Sequence, residues 1–152
     1  MSLTNSSAAQ VDVRGPRFAA WITTAVLVAV LVIASFAPPV AGILLAAQTV
    51  VFALGAALGP RRSPYGALFA TVVAPRVGPP SETEPTPPLR FAQGVGFAFA
   101  LIGTVALLTG AVTLGIVAAG FALFAALLNA AFGVCLGCRI YPLIARLRPQ
   151  TT

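Results

Sequence analysis

Cys135 and Cys138 are the only cysteines in the chain, and they sit together as Cys135-Leu136-Gly137-Cys138 near its C-terminal end. Three readings are open to such a pair. Thiolates attack disulfides and sulfur electrophiles, so two cysteines within reach of each other make a candidate redox dithiol. On one continuous helix, residues three apart lie about 60° apart around the axis, which puts both sulfurs on one face. Thiolates also bind metal, but zinc or an iron-sulfur cluster needs about four ligands, so a metal would have to be shared with a second copy or a partner. The third reading is packing, because cysteine is a small apolar residue that fills tight helix contacts. Arg139 follows the pair directly and is the candidate thiol-tuning residue. At the C-terminal end of a helix the free carbonyls oppose a thiolate, and one guanidinium offsets part of that field.

Little else in the sequence carries chemistry. Histidine and lysine are absent, and the three acids, Asp12, Glu82 and Glu84, lie outside the hydrophobic blocks. General acid-base catalysis therefore has no agent within an apolar core. Ion-coupled transport is disfavoured for the same reason, since its pathways are marked by ionisable groups inside the spans. We assign no catalytic residue, no metal and no cofactor, and expect a non-enzymatic or auxiliary role. A net charge of +6 and a pI near 11.2 would raise nucleic-acid binding. The distribution argues against that partner: all nine basic residues are Arg, in three groups that bracket hydrophobic blocks as topology signals do.

The elements that position the cysteines follow from those blocks. With 59% hydrophobic and only 8% charged residues, the chain is suited to lipid, which makes the bilayer its first partner. Between Arg17 and Arg61 lie 43 uncharged residues, and between Arg90 and Arg139 lie 48. A helix needs about 20 residues to cross a bilayer, so each block holds two spans. We place them at 18–36 and 40–58, divided by Pro38-Pro39, and at 91–109 and 114–134, divided near Gly110. The expected fold is all-α, an integral membrane bundle of four transmembrane helices arranged as two hairpins. Its divisions are an N-terminal tail (1–17), hairpin 1 (18–58), a Pro-rich loop (59–90), hairpin 2 (91–134) and a C-terminal tail from the paired cysteines (135–152). Because every Arg lies in the tails or the central loop, the positive-inside rule puts all three in the cytoplasm.

Several finer features refine this plan. The first span is read as retained rather than cleaved as a signal peptide, because its apolar run is long and Pro38-Pro39 interrupts the candidate cleavage site. The loop divides into an apolar run, 65–74, expected to lie in the membrane interface, and an extended irregular stretch, 75–88. Ala118, Ala122, Ala126 and Ala130 form a ridge of small residues, and Gly55 with Gly59 a GxxxG pair, both suited to close helix contact or to a homo-oligomer. Asn129 is expected to bond to another helix. Arg17-Phe18-Ala19 and Arg90-Phe91-Ala92 precede the first and third spans, a hint of a parallel repeat.

Four segments together carry a resemblance: 11–18 (Val-Asp-Val-Arg-Gly-Pro-Arg-Phe), 75–80 (Pro-Arg-Val-Gly-Pro-Pro), 88–93 (Pro-Leu-Arg-Phe-Ala-Gln) and 129–141, which contains the cysteine pair. The chain resembles the bacterial domain-of-unknown-function family 4395 over residues 11–148. The resemblance implies a small multi-pass protein of the bacterial plasma membrane with Cys135 and Cys138 as candidate functional positions. It also implies an association with thioredoxin-like or sulfurtransferase proteins. The expected role is then an auxiliary component of thiol redox or sulfur metabolism. The alternatives are a scaffolding membrane protein with packing cysteines, or an uncoupled pore for a small sulfur species.

Overall fold

The computed structural model describes residues 10–133 and 136–147. Its elements in order are β1 (Gln10–Asp12), α1 (Arg14–Ala34), α2 (Pro38–Leu58) and α3 (Pro64–Leu68), then a π-helical turn (Phe69–Val73), α4 (Ala74–Val77), β2 (Thr83–Pro85), α5 (Thr86–Thr109), α6 (Val112–Phe132) and α7 (Leu136–Leu147). Helices α1, α2, α5 and α6 are each long and apolar enough to cross a membrane. Their boundaries follow local chemistry. Pro38 and Pro39 occupy the first turn of α2, where a missing N–H costs nothing. Gly110 and Gly133 end α5 and α6 in the left-handed conformation that only glycine adopts without strain.

The core lies between the four long helices and is built from Leu27, Val30, Leu45, Ala100, Leu107 and Ala119. Large apolar side chains such as Trp21, Ile43, Val50, Val105, Phe121 and Phe124 are left on the outside, which suits a lipid-facing surface. Small residues let the helices approach. Ala118, Ala122 and Ala130 are buried as the ridge requires, and Ala126 packs against the core. A Cβ on Gly55 would stand 2.8 Å from Gln93 Cδ, so α2 and α5 meet there, whereas Gly59 has open space and a φ of +93°, and serves to end α2. Across the same contact Thr49 and Thr104 pair their hydroxyls at 3.2 Å, each also bonded to its own helix.

Two expectations for the central stretch are corrected. The apolar run 65–74 lies within a continuous helical run, 64–77, so the irregular stretch does not begin at 75, and the wider π turn comes just before Pro75, which has no N–H to give. The remaining non-helical stretch is shorter than 75–88, because α5 begins at Thr86. Within it, 83–85 pair antiparallel with 10–12, Val11 opposite Glu84, so the N-terminal tail and the loop are one structure. Arg14 secures the join: its guanidinium bonds Asp12 and donates to the carbonyls of Val77 (3.2 Å) and Gly78 (2.9 Å). The guanidinium also holds the Asp12 carboxyl below the usual carboxylate range.

Candidate functional site

The fourth long helix does not continue unbroken to Cys138, as sharing one helix face with the span would require. Helix α6 stops at Phe132, Gly133 turns left-handed at φ +69°, and a new helix, α7, begins at Leu136. Gly133 is the physical reason: no side chain opposes the positive φ, and its N–H closes the last turn on Asn129 O at 3.1 Å. Cys135 lies outside the described residues. The backbones of Cys138 and Arg139 fall in the first turn or so of α7. A helix presents the positive end of its dipole there, so the field invoked against a thiolate at the end of the fourth span does not apply at Cys138.

Helix α7 carries charge on one side and apolar residues on the other, and it packs on α5. Phe91 and Tyr141 bring their rings to 5.9 Å and hold the two helices together. Ile140, two residues beyond Cys138, lines a cavity of about 710 Å³ that opens among the long helices. Ala19, Ala20, Gly96 and Ala122 make its walls narrow-sided, and Phe52, Phe69 and Phe99 give it flat apolar faces. Thr23, Gln93 and Asn129 are its uncharged polar members, while Arg61 and Asp12 stand at the end nearest the loop.

Among the described residues no interhelical hydrogen bond of Asn129 is seen, and its side chain is only partly buried. Neither its amide nor that of Gln93 has a hydrogen-bond partner among the described residues, and both border the cavity. The polar contacts between helices run elsewhere. Gln48, only 1% exposed, donates to Thr23 Oγ1 at 3.5 Å and accepts from the Tyr65 hydroxyl at 2.7 Å. Tyr65 thus enters the bundle from α3, and burial pushes its phenol up from the ordinary range. This anchor was not legible beforehand, because neither Gln48 nor Tyr65 belongs to any motif. A lone glutamine in an apolar block was the one available sign, since such a group needs a partner.

Arginines close the helix ends around the site. Arg90 donates to the carbonyls of Ala56 (2.9 Å) and Ala57 (2.6 Å) at the end of α2. Arg17 donates to Ala130 O (3.2 Å) at the end of α6, next to the break that leads to the cysteines. Each satisfies carbonyls that have no partner within their own helix.

A family model described as Domain of unknown function (DUF4395) matches residues 11–146. The chain belongs to this family. No curated protein and no solved structure matches it. The DUF4395 match runs from Val11 in the β-ribbon to Arg146 in α7, so ribbon, bundle, cavity and cysteine helix all fall within one family domain.

Proposed function

We propose that this DUF4395 protein is a multi-pass protein of the bacterial plasma membrane, its long helices forming two hairpins with both termini and the 59–90 segment in the cytoplasm. There it serves as an auxiliary component of thiol redox or sulfur metabolism. Cys135 and Cys138 exchange disulfides with, or relay sulfur to, a cytoplasmic thioredoxin-like or sulfurtransferase protein. The observation that carries this reading is the left-handed break at Gly133 and the start of a separate helix at Leu136, so that Cys138 belongs to a helix distinct from the fourth long one. A pair meant only for packing would be expected within the buried ridge of α6, where Ala118, Ala122 and Ala130 do that work. Arg139 remains the candidate residue for tuning the thiols.

The chemistry is thiol-disulfide exchange. One thiolate attacks a partner disulfide, the second resolves the mixed disulfide, and the partner leaves as a dithiol. Replacing Cys138 with Ser removes the resolving step, so a partner should remain covalently attached through Cys135 and be identified by mass spectrometry. Capture of one thiol protein, released by reductant, supports the reading. If both thiols stay free across a wide range of redox buffers and alkylate only in denaturant, the scaffolding alternative replaces it. The orientation is tested separately, in a Cys135→Ser, Cys138→Ser background. Ser7→Cys, Ser81→Cys and Thr151→Cys should each resist an impermeant maleimide in sealed cells and react once the inner face is opened. Strong labelling at position 81 in sealed cells would overturn the orientation.

A further inference from the structure

We propose that α7 lies in the plane of the membrane interface, with Ile140, Leu143 and Leu147 set among lipid acyl chains and Arg146 on an anionic lipid headgroup. Such an anchor goes beyond the thiol reading and does not depend on it.

Helix α7 has 12 residues and is about 18 Å long, too short to cross a bilayer. It meets α5 through Tyr141, whose ring stands 5.9 Å from that of Phe91. At about 100° per residue, Leu143 and Leu147 are turned about 160° and 120° away from Tyr141, so α5 does not cover them. Ile140 falls within about 60° of both and completes an aliphatic stripe. Ile140, Leu143 and Leu147 are 45%, 60% and 82% exposed. In water this stripe would forfeit the apolar burial that stabilises an amphipathic helix.

The stripe is held at the height of the lipid surface. On α5 the change from charged to apolar sequence falls between Arg90 and Phe91, and Phe91 is the residue on which Tyr141 packs. From the other side, only residues 133–135 separate α7 from the end of α6, a reach of at most about 14 Å from Phe132 to Leu136. A helix tied at both points lies beside the headgroup layer, which is about 5–8 Å deep on each face of the hydrocarbon. Acyl chains are therefore the apolar phase within reach of the stripe.

Charge selects the lipid. Helix α7 contains Arg139 and Arg146 and no acid, and no acid follows Glu84 anywhere in the chain. Arg146 is exposed, and among the described residues the only ion pair is that of Arg14 with Asp12. At about 60° from Leu143, Arg146 flanks the stripe, where its long stem reaches headgroups while the leucines stay among acyl chains. A second copy of the chain is the competing cover, but a stable protein interface takes about 20–30 residues a side, far more than this stripe offers.

Nitroxide labels on single cysteines test the placement, in the Cys135→Ser, Cys138→Ser background and in vesicles of equal parts phosphatidylcholine and phosphatidylglycerol. Oxygen concentrates among acyl chains and a neutral nickel chelate stays in water, so the ratio of their collision rates reports depth. At Leu143→Cys this ratio should be at least fivefold that at Pro142→Cys, an exposed position about 100° around the helix. Should the label at 143 prevent folding, Leu147→Cys in the last turn should still exceed Pro142→Cys at least threefold. Adding Arg146→Gln, or omitting phosphatidylglycerol, should lower the ratio at 143 at least twofold. Equal ratios at 143 and 142 would place the stripe in water and overturn the anchor. Collisions with both agents suppressed at 143, with spin-spin broadening between labels, would give the stripe to a second copy and overturn it too. A ratio at 143 that ignores both Arg146→Gln and the loss of phosphatidylglycerol would overturn the headgroup contact.

Discussion

The molecule contains the same arrangement twice, with one difference that bears on chemistry. In the first half Arg17 opens α1, in the second Arg90 opens α5, and each bonds the final carbonyls of a long helix belonging to the other half, α6 and α2 respectively. The next residue in each case, Phe18 or Phe91, packs its ring on an aromatic of the helix that follows its own pair of long helices: Phe69 at 5.7 Å, Tyr141 at 5.9 Å. Arg17 and Arg90 are 73 residues apart, and those following helices begin at Pro64 and Leu136, 72 apart. Packing agrees, for α1 meets α6 as α5 meets α2. The shared Arg-Phe-Ala is therefore the visible trace of a repeated unit of two long helices and one shorter one.

The halves differ in how the third helix is held. In the first, Ser63 caps α3 by accepting from Gly66 N at 3.1 Å and donating to Pro60 O at 2.8 Å, and Tyr65 reaches Gln48 inside the bundle. In the second, the residue just before the helix is Cys135, and no hydrogen bond ties α7 to the long helices among the described residues. One copy is locked by polar anchors. The other meets α5 through the Phe91–Tyr141 ring contact and carries the candidate cysteine Cys138.

The strongest way to break the comparison is Gly66→Ala. Its Cβ would fall on the Pro60 carbonyl oxygen, at 1.7 Å, so the capped turn cannot form. We expect a loss of more than about 3 kcal/mol, seen as little or no detergent-stable protein; a melting temperature near wild type would show that the turn is not tightly closed. Next is Arg90→Gln, which removes two bonds to α2, against Arg17→Gln, which removes one to α6. Charged hydrogen bonds contribute about 1.5–3 kcal/mol, less when exposed, so we expect about 1–2 kcal/mol for Arg90 and about half that for Arg17. Equal or reversed shifts in thermal unfolding would contradict the assigned caps.

Tyr65→Phe tests the polar anchor of the first copy directly. It leaves the Gln48 carbonyl buried without its donor and should cost about 1–3 kcal/mol. Local hydrogen exchange in 64–77 should rise toward that of 136–147; unchanged protection would remove the anchor from the account. The smallest effect concerns the ribbon. Because Asp12 has a lowered folded-state pKa, its pairing with Arg14 contributes fully above the unfolded value of about 3.9 and is lost as pH falls through the folded one. Asp12→Asn should slightly lower stability at neutral pH and flatten the acid limb of the stability curve. An unaltered acid limb would show that the pair contributes nothing.

Four long helices and their approximate ends were legible because 43- and 48-residue uncharged blocks leave few other folds. The observed starts run earlier, at Arg14, Pro38, Thr86 and Val112, since proline is tolerated in a first helical turn and the arginines reach across to cap neighbours. The ribbon was not legible: three residues on each side, 10–12 and 83–85, with no alternation to mark them, pair only because tertiary structure brings them together. The cysteine site was half legible. Its residues stand out, but Gly133 looked like one more small residue of an apolar helix, and its backbone turn separates Cys138 from the span. Asn129 was recognised as needing a partner; that its neighbour is a cavity depends on the packing of helices remote in sequence.

The ribbon sets an order of events during synthesis. Residues 10–12 emerge early, but their partners at 83–85 come 73 residues later, about 4–15 s at ribosomal rates of roughly 5–20 residues per second. By then the chain for α1 and α2 has been made, and the second pair of long helices has not. The ribbon can therefore close around a finished first half while the second is still being translated, a clasp whose timing is written into the spacing of its two strands.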